Sequence, residues 1–192
     1  MAQVADYPLE DESLLAARRR AEEFGAEPVS ADAGATLRLL AAAIEARSVV
    51  EIGTGCGVSG LWLLRGMRSD GILTTVDVEP EHQRLAREAF TGAGFPANRM
   101  RLISGRALDV LPRLTDGGYD LVFCDAARRE YAEYLTEALR LLRPGGVLVV
   151  DDALDAETPS VQEMAEQVRE DERLIPALLP TAQGLLTAVK RL

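Results

Sequence analysis

Short apolar runs at residues 49–52, 73–76, 100–103, 121–124 and 147–150 alternate with stretches of helical periodicity along this chain. That alternation restricts the fold more than any other feature. A strand that reads apolar without a break is buried on both faces, as in a parallel sheet covered by helices. Parallel neighbours need a crossover, and residues 61–67, 81–90, 108–114 and 130–142 supply helical ones. Two helices come first. One is polar, over 14–24, and ends at Gly25; the other follows Ser30, whose hydroxyl suits an N-cap, and carries Leu37, Leu39, Leu40 and Ile44 on its apolar face. After a helix over 161–172 the alternation stops. Runs 174–179 and 185–189 flank Pro180-Thr181-Ala182-Gln183-Gly184 and read as a hairpin. The expectation is a doubly wound α/β fold with five parallel strands and a C-terminal antiparallel pair. At 192 residues it fits one domain, with residues 1–27 as a helical N-terminal extension.

The first run opens into the densest glycine stretch, Val49-Val50-Glu51-Ile52-Gly53-Thr54-Gly55-Cys56-Gly57-Val58-Ser59-Gly60. In open α/β sheets, ligands sit beyond the carboxyl ends of the strands, where this loop lies. Glycines there reach φ > 0 or let backbone approach a ligand, and the following helix aims its N-terminal amides at the same place. Residues 55–60 satisfy G-x-G-x-x-G, so a nicotinamide dinucleotide has to be weighed. Counted from Gly53, the glycine that follows the strand directly, the register is G-x-G-x-G, and Val58 stands where the third glycine of the dinucleotide fingerprint would fall. A smaller cofactor fits better. Asp77 ends the second run at the spacing from the loop where a carboxylate can accept from ribose hydroxyls, with Glu79 the alternative and a plain strand-ending or helix-capping acid the simpler role. A small cofactor that carries a ribose is the ligand these features describe together.

Composition removes several classes. Hydrophobic residues make up 47% and charged residues 27%, as in soluble globular domains, and no apolar run approaches the ~20 residues of a membrane span. The N-terminal "MAQVADYPLEDESLL" is acidic where a secretory signal is basic and then apolar, which gives a cytoplasmic expectation. Cys56 and Cys124 cannot build a disulfide framework and lack metal-site spacing; both read as small packing residues. Net charge is −10, and the one basic run, Arg18-Arg19-Arg20, is followed by Glu22 and Glu23, as on a solvated helix face. Neither a nucleic-acid nor a membrane partner is expected.

With these residues in view, "VVEIGTGCGVSGLWLL", "LTTVDVEPEHQRLA", "LISGRALDVLPRL", "YDLVFCDAARREY" and "LLRPGGVLVVDD" resemble the catechol and caffeoyl-CoA O-methyltransferase family, and its actinobacterial members in particular. The resemblance runs from Pro28 to the end of the chain. It implies a Rossmann-like class I methyltransferase fold with a seven-stranded, mostly parallel sheet, an antiparallel C-terminal strand and helices on both faces. It implies S-adenosylmethionine as cofactor, a small catechol-like acceptor, often a divalent cation such as Mg²⁺, and a homodimer. By position it assigns Glu51, Gly53, Thr54 and Ser59, and Gly55 of the same loop, to the methionine end of the cofactor, together with Val29 in the loop before the second helix. Asp77 would hold the ribose, Gly105, Arg106 and Ala107 would flank the adenine, and Asp125 would face donor and acceptor. The metal would sit on Asp125, Asp151 and Asp152, acids that also fit as strand-ending caps.

The chain departs from the family at that end. Asp151-Asp152 stands where the family has Asp-Asn, Ala127 replaces an acidic residue, and Arg128 occupies the position of the family's basic lysine. A guanidinium stays protonated in a protein, so Arg128 cannot be a base, but it can orient an anionic oxygen or stabilise a phenolate. Asp125 and Arg128 are therefore the expected catalytic pair, with positioning supplying most of the rate. Of the remaining candidates, His82 reads as a surface or capping residue, Trp62 as core and Arg129 as solvated. Tyr131 and Tyr134 suit either an aromatic pocket or packing. A nicotinamide-dependent oxidoreductase and a weakly catalytic cofactor-binding protein are the alternatives to methyl transfer.

Overall fold

The structure, a computed structural model, describes residues 9–155 and 157–192. Much of the acidic N-terminal stretch, residues 1–8, lies outside them.

Seven strands form one sheet in the order β3-β2-β1-β4-β5-β7-β6. They are β1 (Ser48–Ile52), β2 (Ile72–Asp77), β3 (Met100–Ser104), β4 (Tyr119–Cys124), β5 (Leu142–Val150), β6 (Leu174–Leu179) and β7 (Leu185–Lys190). The first five are parallel, and β7 runs antiparallel to both β5 and β6. The expected hairpin is present, and its second strand lies inside, next to β5. The central strands are buried on both faces, whereas β3 and β6 sit at the edges and expose much of their length. β5 starts earlier than its apolar run, because Leu142 pairs with Tyr119 across an irregularity before Leu121 meets Val147.

Alternation along the strands divides the core in two. Val49, Leu73, Leu121, Phe123, Val147 and Val149 face one cluster, and Val50, Ile52, Val76, Val122, Leu148 and Val150 face the other. Helices α1 (Glu12–Glu23), α2 (Ala31–Ala43), α3 (Val58–Gly66) and α4 (Pro80–Gly92) cover the first side. Helices α5 (Ala107–Val110), α6 (Tyr131–Leu141) and α7 (Pro159–Glu170) cover the second. Ser30 caps α2 as its residue type suggests, its hydroxyl accepting from the Ala33 N–H at 3.4 Å. Trp62 is core, packed so close to Gly34 that a β-carbon there would fall 2.3 Å from the indole.

Candidate active site

The parallel register brings the carboxyl ends of four strands level, and pairing continues one residue past each of them. Gly53 N–H donates to Val76 O (2.9 Å), Gly105 N–H to Asp77 O (2.8 Å), Asp125 N–H to Ile52 O (2.9 Å) and Asp151 N–H to Cys124 O (3.1 Å). The loops that leave these bonds share one rim. Gly53, Gly55 and Gly57 all have positive φ, as the loop reading requires. Gly53 is the most constrained, since a β-carbon there would lie 1.8 Å from the Asp125 carbonyl oxygen.

A cavity of about 490 Å³ opens at this rim. Val29, Gly53, Thr54, Gly55, Ser59, Asp77, Gly105, Arg106, Ala107 and Asp125, each expected at a cofactor, all line it. Asp77 anchors the loop as well. Its Oδ2 accepts from the Thr54 and Gly55 N–H groups (3.0 and 2.9 Å) and its Oδ1 from the Glu79 N–H (2.9 Å). Oδ1 keeps an acceptor position for a ligand hydroxyl.

Glu51, expected at the methionine end, stands one layer behind the cavity wall. It is fully buried and does not line the cavity; it lies behind Ser59, which does. Its Oε1 accepts from the Ser59 hydroxyl and its Oε2 from Thr75, both at 2.6 Å. Each hydroxyl has one proton, so the 2.6 Å contact between Thr54 and Thr75 must run from Thr54, which in turn accepts from Gln83 Nε2 at 2.7 Å. A directed chain, Gln83 to Thr54 to Thr75 to Glu51, therefore ends on the carboxylate. Burial pushes the Glu51 carboxyl up to about 7 despite these donors.

Sequence reasoning also missed wall residues. His82 is neither on the surface nor a cap: its Nδ1 lies 3.7 Å from Asp77 Oδ2 and the ring lines the cavity. Its place one turn into α4, level with the end of β2, was the available signal. Cys56 is buried as expected but also faces the cavity. Tyr134 lines the cavity and donates to Glu130 (2.7 Å), which pairs with Arg106 (3.1 Å), whereas Tyr131 packs in the core. Arg129 is solvated as expected, 83% exposed at the rim.

A second, smaller cavity of about 170 Å³ adjoins the first and shares Glu27, Pro28, Val29, Asp125 and Ala126 with it. Arg128, Asp151 and Asp152 line only this one. Burial, and then the charges of Asp151 and Asp152, hold the Asp125 carboxyl well above its ordinary range; burial first also raises Asp151 to about 6. Asp151 Oδ1 is buried without a hydrogen-bond partner. The metal expectation fails on the donor set. Asp152 Oδ2 is taken by Arg128, with Nη2 at 2.6 Å and Nε at 3.2 Å, and among the described residues no group of three acids, histidines or cysteines is arranged to hold a cation. Arg128 is thus brought beside Asp152 and Asp155, each 2.6 Å away.

Comparison with known proteins decides the family. The model of the O-methyltransferase family matches residues 10–191. The chain belongs to the O-methyltransferase family. A relative from Mycolicibacterium vanbaalenii, assigned to the O-methyltransferases by name alone, is 53% identical over 94% of this chain and 85% of its own length. Among solved structures, the O-methyltransferase TomG of Streptomyces achromogenes, involved in tomaymycin synthesis and solved with S-adenosylmethionine, is 33% identical with a TM-score of 0.88, over 97% of this chain and 93% of that one. A Bacillus cereus O-methyltransferase in complex with S-adenosylhomocysteine is 26% identical with a TM-score of 0.86, over 97% and 94%. This methyltransferase is an S-adenosylmethionine-dependent enzyme with the class I fold, and the nicotinamide alternative falls away. No helix among its described residues is long and apolar enough to cross a membrane.

Proposed function

We propose that the enzyme transfers the cofactor's methyl to a hydroxyl of a small aromatic, catechol-like acceptor. The observation that carries this reading is the pair of adjoining cavities with Asp125 in their common wall. The larger takes the cofactor. Val29, Ser59 and the backbone at Gly53–Gly55 hold the methionine end, Glu51 orients Ser59, Asp77 Oδ1 takes a ribose hydroxyl, and Gly105–Ala107 flank the adenine. The smaller, about 170 Å³, has the size that accommodates a single aromatic ring, since roughly 150 Å³ holds benzene.

Methyl transfer is an in-line displacement in which the acceptor oxygen bonds to the methyl carbon as the carbon–sulfur bond breaks. Holding the two reactants at contact and out of water supplies most of the acceleration. The hydroxyl proton leaves as the bond forms. Asp125, whose burial beside Asp151 and Asp152 raises its affinity for a proton, is placed to receive it when ionised, and Arg128 stays charged. Exposed Ile175 and Leu178 on the edge strand β6 support the homodimer, and the acidic composition supports a cytoplasmic protein without nucleic-acid or membrane partners.

The test is formation of S-adenosylhomocysteine from S-adenosylmethionine with a panel of catechols, simple phenols and aliphatic diols. Catechols should turn over fastest. Turnover confined to aliphatic diols sinks the aromatic assignment, and sedimentation at a monomer's mass sinks the dimer.

A further inference from the structure

The acceptor cavity is rich in acid, and Arg128 is the one cation among the described residues that line it, against Glu27, Asp125, Asp151 and Asp152. Its guanidinium is built in. Arg128 opens a short 3₁₀ turn after β4, while its partners come from the loop after β5. Asp152 adopts φ 59°, a left-handed conformation that is uncommon for aspartate. From there its Oδ2 accepts from both Nε and Nη2 of Arg128. Asp155 Oδ2 accepts from Nη1 at 2.6 Å, and Asp155 is itself held by the Thr158 hydroxyl (2.6 Å) and the Glu157 N–H (2.9 Å). Two carboxylates on one loop therefore clamp one guanidinium from another.

We propose that Arg128 is the resident cation of the acceptor site and stands in place of a divalent metal ion. A hard divalent cation keeps several waters and binds through one or two carboxylates, so the charge already seated at those oxygens decides the site, and Asp152 Oδ2 already accepts two N–H groups of Arg128. With Asp152 Oδ2 paired to the guanidinium, the positive charge that a metal ion would bring beside Asp125 and Asp151 is already supplied by the chain. A unit positive charge at contact with Asp152 also repels any cation approaching the same oxygens. Of the five N–H groups on the guanidinium, three face Asp152 and Asp155, so two remain for acceptor oxygens. A planar fork of N–H donors matches two neighbouring oxygens, and so Arg128 orients the acceptor and stabilises a forming phenolate without chelation. The role in orienting an acceptor rests on the function proposed above; the exclusion of metal does not, and its test uses no acceptor.

The measurement is Mn²⁺ binding to the purified protein, followed by electron paramagnetic resonance, for the wild type and for Arg128→Ala. The wild type should show no saturable binding up to about 1 mM, and Arg128→Ala should bind one Mn²⁺ at least about tenfold more tightly than that limit. Adding Asp152→Ala to Arg128→Ala, which takes away the side-chain oxygens, should remove the gained site. Saturable micromolar binding by the wild type overturns the proposal, and so does an Arg128→Ala protein that is folded by circular dichroism but gains no site. If the alanine variant does not fold, Arg128→Gln, which keeps the bulk and drops the charge, answers the same question, with Arg128→Lys expected to stay metal-free.

Discussion

The two cavities share a wall but are built differently. The larger is made by backbone: glycines at positive φ, strand pairing carried one residue past the sheet, and a carboxylate holding three N–H groups in place. The smaller is made by charge, with four carboxylates and one guanidinium around about 170 Å³. Backbone geometry admits few sequences, so a cofactor site of this kind keeps its form. A site set by side-chain charge can change its chemistry through a single residue, as Arg128 shows by pairing with Asp152. Binding of the donor and handling of the acceptor are therefore separable properties of this fold, and substitutions should separate them.

The largest effect is expected where the two cavities meet. In Gly53→Ala the new methyl group would lie 1.8 Å from the Asp125 carbonyl oxygen, on a backbone at φ 96°. Neither the strand end nor the loop can yield without breaking the Asp125 N–H to Ile52 O bond, so a loss of at least about 3 kcal/mol is expected in urea denaturation. Near-native stability would show that the common wall is pliable and the cavities are not fixed to one another.

Next comes the pH dependence of the cofactor side. Glu51 has a folded-state value of about 7 against an ordinary 4.5. A carboxyl whose value is raised by folding favours the native state while protonated. Its contribution is complete below the unfolded value and is lost as pH rises through the folded one. The cofactor-free wild type should thus lose stability between about pH 4.5 and 7 relative to Glu51→Gln, by roughly 3 kcal/mol in total. Parallel stability curves for the two proteins from pH 4 to 8 would refute the assignment.

Much of this organisation is legible in the sequence because it follows from local pattern. Unbroken apolar runs give the parallel strands, the glycine register gives the loop, and Asp77 is found by counting along the chain. Contacts between loops are not legible. Arg128 meets Asp152 and Asp155 from 24 and 27 positions away, through segments without periodicity. Nor does the position of Glu51 in the motif disclose that its carboxylate accepts from Ser59 and Thr75 behind the cavity wall. His82 was missed because its place early in α4 becomes informative only once β2 is paired and Asp77 lies beside it. Even the hairpin, plain in the sequence, does not disclose that β7 enters the sheet between β5 and β6.

Asp77→Ala sharpens the comparison from the cofactor side. It removes the acceptor shared by Thr54, Gly55 and Glu79 N–H groups together with the proposed ribose contact. Affinity for S-adenosylhomocysteine, read by calorimetry, should fall by about 1–3 kcal/mol. Unchanged affinity would remove Asp77 from cofactor binding, and Asp77→Asn, which retains one acceptor oxygen, should lose less.

The smallest effect belongs to the proposed adenine end, where Tyr134 donates to Glu130 and Glu130 pairs with Arg106 at the cavity. Arg106 is 60% exposed, so its ion pair adds little by itself, and the Tyr134 hydroxyl carries most of what holds Glu130 in place. Tyr134→Phe should weaken S-adenosylhomocysteine binding by about 0.5–1.5 kcal/mol, the worth of one hydrogen bond, and leave the acceptor KM unchanged. Tyr134 lines the large cavity and not the small one, so the split between the two constants is the informative readout. A shift confined to the acceptor KM would mean that the acceptor reaches α6 and that the division between a donor cavity and an acceptor cavity is drawn in the wrong place.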